Sequence, residues 1–145
     1  MVRVMRYLLA TNVCIDLLRG RNPYLDAHIR GFRPGDLGIA SVTLFELFYG
    51  VGRSLHRTRD EAALIAFVSP LEVAPFDTAA ARFAGHLRAF LERAGTPIGQ
   101  SDLLIASQAL ALGIPLVTRN EREFRRVPGL RIANWHLPPP IVEES

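Results

Sequence analysis

Arg6-Tyr-Leu-Leu-Ala-Thr-Asn-Val-Cys-Ile-Asp-Leu-Leu-Arg-Gly20 is the stretch that decides the fold of this 145-residue chain. Its apolar run at 6–10 reads as a buried strand, Thr11-Asn12 as a helix start, and the segment to about Arg19 as the helix that follows. The same alternation continues downstream. Pro23–Gly31 is a second short helix with proline in its first turn, Leu37–Ala40 is a strand, and Ser41 or Thr43 opens a helix to about Val51. Residues 57–68 are predicted helical and Leu71–Pro75 extended. Asp77 caps a long amphipathic helix with Phe83, Leu87, Phe90, Leu91 and Ala94 on one face. Beyond the loop Gly95-Thr-Pro-Ile-Gly99, residues 101–112 form a helix that is apolar on nearly every side and therefore buried, ended by Gly113. Ile114–Thr118 is a strand, 121–126 a helical turn and Leu130–Ala133 a last strand.

Strand and helix alternating in this way imply an α/β fold: a single-domain α/β/α sandwich with a central, mostly parallel sheet. The domain is expected at 1–137, and 138–145, opening Pro138-Pro-Pro, is expected to be an extended tail. No internal repeat or linker divides the chain. At 49% hydrophobic and 21% charged it has the make-up of a globular protein with a core of its own. No apolar run is long enough to span a membrane, and the first nine residues do not form a secretory signal. Cys14, the single cysteine, excludes an internal disulfide framework and fits a reducing cytoplasm.

All seventeen basic residues are Arg. The absence of Lys removes the phosphate-gripping Lys of a P-loop and Schiff-base chemistry together. A pI near 9.7 permits a nucleic-acid partner, although a GC-rich genome also favours Arg codons and accounts for part of that figure.

In parallel sheets ligands gather at the carboxyl ends of the strands. The predicted ends here are Ala10-Thr11-Asn12, Ala40-Ser41 and Thr118-Arg119-Asn120, and the helices near them carry two isolated acids. Glu46 is the only charged residue between Asp36 and Arg53, and Asp102 the only one between Arg93 and Arg119. A lone carboxylate in apolar surroundings needs a cation or hydrogen-bond donors. Two of them suggest one shared hard cation such as Mg²⁺, held through oxygen ligands. The histidines and Cys14 have no zinc spacing. Each acid also has a plainer reading. Thr43-Leu-Phe-Glu46 has the spacing of a capping box, and Asp102 sits where an acid favours a helix dipole. Glu121 and Glu123 are read as solvated helix acids or as further members of the site. Asp16 is taken as a solvent-side residue. Arg119, Arg122, Arg125, Arg126 and Arg131 are either a solvated face or a phosphate-tracking patch.

Four segments together resemble the PIN-domain ribonucleases, specifically the VapC toxins of toxin–antitoxin pairs. They are Arg6–Gly20, Ser41-Val-Thr-Leu-Phe-Glu-Leu-Phe-Tyr-Gly50, Ile98-Gly-Gln-Ser-Asp-Leu-Leu-Ile-Ala106 and Leu116–Leu130, in the family's order over about 6–135. The resemblance implies an acidic site that binds Mg²⁺ or Mn²⁺ and cleaves RNA. By position, Glu46 and Asp102 match the family's second and third acids, and Glu123 its more variable fourth. Thr11, Asn12, Thr118 and Asn120 match small polar residues that support the site, and Arg119, Arg122, Arg125 and Arg126 would meet RNA. The departure is at the first acid, where the family has Asp and this chain has Ala10. A methyl group binds no cation, so cleavage and metal affinity are expected to be weakened. Deliberate replacement to make a toxic protein tolerable is the favoured explanation, a degenerate natural copy the other.

The expected function is thus a Mg²⁺-dependent endoribonuclease of structured RNA, with a non-catalytic module that sequesters antitoxin or RNA as the alternative. A receiver-like signalling domain would want a Lys near its acids and is set aside. The resemblance further implies a VapB-like antitoxin and a homodimer or hetero-oligomer. A groove lined from Ile15, Leu18, Leu44, Phe45 and Phe48 would suit an antitoxin helix, if Phe45 and Phe48 are not simply core.

Overall fold

The computed structural model describes residues 4–139. Along the chain run β1 (Tyr7–Leu9), α1 (Thr11–Arg19), α2 (Pro23–Ile29), β2 (Leu37–Ala40), α3 (Ser41–Gly52), α4 (Arg57–Val68) and β3 (Glu72–Ala74). They are followed by α5 (Thr78–Arg93), α6 (Gln100–Leu112), β4 (Leu116–Val117), α7 (Glu121–Phe124) and β5 (Ile132–Ala133). The strands form one sheet in the order β3-β2-β1-β4-β5, every pair parallel. The first strand of the sequence is thus the middle of the sheet, with Leu9 in register with Ile39 on one side and Val117 on the other.

That central strand divides the core. Leu8 and Ala10 point into a layer with Leu87 and Leu91 of α5, Leu103 and Ala106 of α6, and Phe124 of α7. Leu9 points the other way, toward Val13, Cys14, Leu25, Leu47 and Leu64 from α1 to α4. The period of two puts position 10 on the α5–α6 side, where Asp102 begins its helix. Close packing also explains Gly38. A Cβ there would collide with the Met5 side chain and come within 2.9 Å of the Glu72 carbonyl oxygen, so only glycine lets Met5 lie across β2.

Helix ends follow local chemistry. Asp77 accepts from the Ala80 N–H, as expected of a cap, and Gly113 ends α6 at φ 69°, a conformation that favours glycine. Four strands are shorter than the apolar runs suggest. Pro115, for example, has no N–H to donate, so β4 begins only at Leu116. On α5 the buried stripe is Ala80, Ala84, Leu87 and Leu91, whereas Phe83 and Phe90 are more than 40% exposed. The aromatic pair expected on the inner face is therefore exposed instead. Thr43 and Glu46 form no capping box: α3 starts at Ser41, its N-cap Ala40 has no side chain to offer, and Glu46 lies too far along the helix. From Pro140 on, the expected tail falls outside the described residues. No helix among the described residues is long and apolar enough to cross a membrane.

Candidate active site at the carboxyl edge of the sheet

Three acids arrive at the edge from three helices. Glu46 comes from the middle of α3, Asp102 from the first turn of α6 and Glu123 from α7. Burial raises the Asp102 pKa to about 7, with the charge of Glu123, a hydrogen bond to Glu123 and the charge of Glu46 adding to the effect. These three side chains therefore share one electrostatic environment, and Asp102 holds a proton there far more readily than an ordinary aspartate.

Neutral groups fix the other two acids. The Thr11 hydroxyl lies 2.8 Å from Glu46 Oε1 and 3.1 Å from the Thr43 hydroxyl, and the carboxylate is the stronger acceptor for its proton. Thr11 is the first residue of α1, so the strand-to-helix turn after β1 sets this contact. Glu123 Oε1 accepts from the Gly99 N–H at 3.0 Å, and its Oε2 accepts from Asn120 Nδ2 at 2.7 Å. Thr118, wholly buried at the end of β4, accepts from the Asn120 N–H at 3.0 Å and from Asn12 Nδ2 at 3.4 Å. Thr11, Asn12, Thr118 and Asn120 are all brought to the edge where the acids meet. Ala10 is there too, 2% exposed and packed with Leu103, the neighbour of Asp102. Among the described residues no group of three or more His, Cys, Asp or Glu is placed to hold a metal ion.

The two glutamates of α7 separate cleanly. Glu123 faces Asp102, whereas Glu121 is 3.5 Å from Arg125 and accepts from Asn134 Nδ2 at 3.2 Å. The basic cluster is divided among local tasks. Arg119 pairs with Asp16 at 3.4 Å, Arg125 with Glu121, Arg126 donates to the Pro97 carbonyl and Arg131 to that of Gly113. Arg122 is exposed, and no hydrogen bond or ion pair of its side chain is seen among the described residues.

Asp16 overturns its reading as a solvent-side group. It is 2% exposed, and its Oδ2 lies 2.8 Å from His136 Nε2 as well as beside Arg119. The sequence held a usable signal: Asp16 stands four residues after Asn12, one turn along the same face of α1, and Asn12 enters the site. The contribution of the Gly99 backbone N–H had no such signal.

A groove of about 410 Å³ runs between α1, α3 and α4. Ile15 and Leu18 line it as expected, Arg19, Arg59 and Asp60 add charge, and Glu46 lies in its wall, while Asp102 and Glu123 do not line it. Leu44, Phe45 and Phe48 do not line it. Leu44 packs against the core, whereas Phe45 and Phe48 are 69% and 41% exposed, which removes the reading of these two as core.

Comparison with known proteins agrees with this architecture. The PIN domain family model matches residues 7–130. The tRNA(fMet)-specific endonuclease VapC of Salmonella typhimurium is 39% identical over 132 residues, covering 91% of this chain and 99% of the relative. The crystal structure of DNA-bound VapBC from Salmonella typhimurium superposes with a TM-score of 0.87 at 39% identity, over 91% of this chain and 99% of that one. VapBC2 from Rickettsia felis, bound to a promoter DNA fragment, gives 0.84 at 36% identity over 90% and 99%. The chain belongs to the PIN-domain family and, within it, to the VapC ribonucleases.

Proposed function

We propose that this chain is the scaffold of a divalent-metal-dependent endoribonuclease, the toxin of a VapC-type toxin–antitoxin pair, with its own catalysis strongly impaired by Ala10. The observation that carries the reading is the Glu46–Asp102–Glu123 cluster, where burial first and the charges of Glu123 and Glu46 after it hold Asp102 up to about 7. A carboxylate held partly out of water beside other acids gains from an external cation. Carboxylate oxygens are the donors that Mg²⁺ or Mn²⁺ takes, so the donor chemistry fits, while the ligand count is one short at position 10. Glu46 and Asp102 would hold the ion, with Glu123 as a further ligand or water-positioning group, and bound there it would offset charge on a scissile phosphodiester and make water a better nucleophile.

The chain's own groups do the rest. Thr11 orients Glu46, and Asn120 with the Gly99 N–H orients Glu123. Arg119, Arg122, Arg125 and Arg126 lie on the segment after β4 and would meet RNA phosphates. Structured RNA of translation is the substrate class, and the tRNA(fMet) specificity of the Salmonella relative makes that tRNA the first substrate to test. The partner is a VapB-like antitoxin, as in the VapBC neighbours, and the groove that opens onto Glu46 is its proposed seat. Ala10 also favours a second reading, a non-catalytic module that sequesters antitoxin or RNA.

Cleavage of total RNA and of tRNA(fMet) by this chain and by its Ala10→Asp form, with and without Mg²⁺, separates the two readings. Mg²⁺-dependent cleavage that appears or rises with Ala10→Asp supports the nuclease scaffold. No cleavage and no gain in metal affinity by the reverted form would leave the binding module.

A further inference from the structure

Asp16 is the one charged residue buried among the described residues, and the acid cluster does not account for it. Its setting is unfavourable twice over. It lies in the C-terminal half of α1, where the helix dipole disfavours an anion, and it is removed from water. Both of its partners meet Oδ2, while Oδ1 is buried with no hydrogen-bond partner among the described residues. A carboxylate only accepts, so His136 donates from Nε2.

Those two partners bracket α7. Arg119 precedes Asn120, which holds Glu123, and His136 follows Asn134, which donates to Glu121. Asn134 Oδ1 accepts from the His136 N–H at 2.9 Å, and Asn22 of the loop before α2 donates to the His136 carbonyl at 3.2 Å. With four residues, α7 is a single turn whose buried anchor is Phe124, so the direction of its other side chains depends on the segments that flank it. Segments on either side of it therefore converge on one buried carboxylate.

We propose that Asp16, with Asn134 and His136, forms a clasp that positions α7 and thereby sets Glu123 at the acid cluster. Asp16 is a positioning residue for a site it does not touch. The metal-binding half of this idea rests on the proposed function, whereas the geometric half can be read without any metal.

The readout is the Gly99 amide, which donates to Glu123. Its proton shift and hydrogen exchange are followed by NMR in this chain and in Asp16→Asn, His136→Gln and Asn134→Ala, with the β1 amides of Leu8 and Leu9 as internal reference. Each variant is expected to shift the Gly99 resonance and to speed its exchange about tenfold while β1 is unchanged, as local opening requires. In the Ala10→Asp background, Asp16→Asn should weaken Mn²⁺ binding about tenfold by calorimetry, the size of effect typical of residues that orient metal ligands. An unmoved Gly99, or equal acceleration at Gly99 and β1, would overturn the clasp. Should Asp16→Asn fail to fold, Asn134→Ala removes no charge and tests the same linkage. If Glu123→Gln leaves Mn²⁺ affinity unchanged, the metal role of Glu123 fails while the Gly99 result still judges the clasp.

Discussion

Two sets of acids shielded from bulk water lie at the two ends of α1, and they have opposite needs. Beyond its N-terminal end, Glu46, Asp102 and Glu123 gather with only neutral donors beside them, and Asp102, pushed up by burial and then by these neighbours, holds its proton up to about 7. Toward its C-terminal end, Asp16 is buried more deeply than any of them, yet it carries Arg119 and His136 with it. A carboxylate supplied with its own cation, Arg119, and with the His136 N–H donor has its compensation inside the fold, so removing it should damage the fold. Carboxylates supplied only with one another are under tension that a ligand can relieve, so removing one should help the fold and harm the chemistry. Burial acts on both sets. The sign of the surrounding charge is what separates them.

The strongest way to sharpen the contrast is to complete the crowded set. Ala10→Asp places a fourth acid in the layer shared with Leu103. RNA cleavage in Mg²⁺ should rise about 100-fold or more, a gain of roughly 3 kcal/mol in the transition state. The same variant should melt at a lower temperature than the parent at pH 8 without metal, and recover with Mg²⁺ because an ion that binds only the folded form stabilises it. Cleavage that stays at the parent's level, with no Mg²⁺-dependent rise in melting temperature, would break the comparison. Next in size is the compensated acid. Asp16→Ala leaves a largely buried His136 without its acceptor and frees Arg119. The Arg119 side chain is 55% exposed and can return to water, so the cost should be about 2–3 kcal/mol, below the usual range for a fully enclosed pair. Urea denaturation at pH 8 measures it, and a loss under about 0.5 kcal/mol, the scale of ordinary surface changes, would mean the clasp carries no load.

These two sites are unequally legible in the sequence, for physical reasons. Glu46 and Asp102 stand out because each interrupts a long apolar run, and the strand–helix alternation places both near strand ends. The parallel sheet follows from that alternation, but its order around β1 and its register do not, since close fits such as Met5 over Gly38 are carried by no local pattern. Asp16 misleads because Leu17 and Leu18 beside it suggest a polar outer face, while its partners lie 103 and 120 residues away. The capping-box spacing at Thr43–Glu46 misleads in the opposite direction, since the helix begins two residues before Thr43 and both side chains turn toward Thr11. Short-range motifs mark helix ends well. They do not reveal which acid a distant cation will find.

The smallest effect is also the one that tests the sign directly. Asp102 titrates from 3.8 in the unfolded chain to about 7 in the folded one, so between these values the native state binds the extra proton. That contribution is fully present below pH 3.8, fades as pH rises toward 7, and is gone above it. A pKa unit corresponds to about 1.4 kcal/mol, but Asp102 is only half-buried and water screens it, so the drop should be about 1–2 kcal/mol. Asp102→Asn keeps a neutral group of the same shape at every pH. Its stability by urea denaturation should match the parent near pH 4, show less decline toward pH 8, and exceed the parent there. At pH 8, then, neutralising Asp102 stabilises while truncating Asp16 destabilises, although both are acids drawn away from solvent. Parallel pH profiles for parent and Asp102→Asn would mean that neither burial nor the neighbouring acids disfavour the Asp102 carboxylate, and the case for a cation at this edge would lose its physical basis.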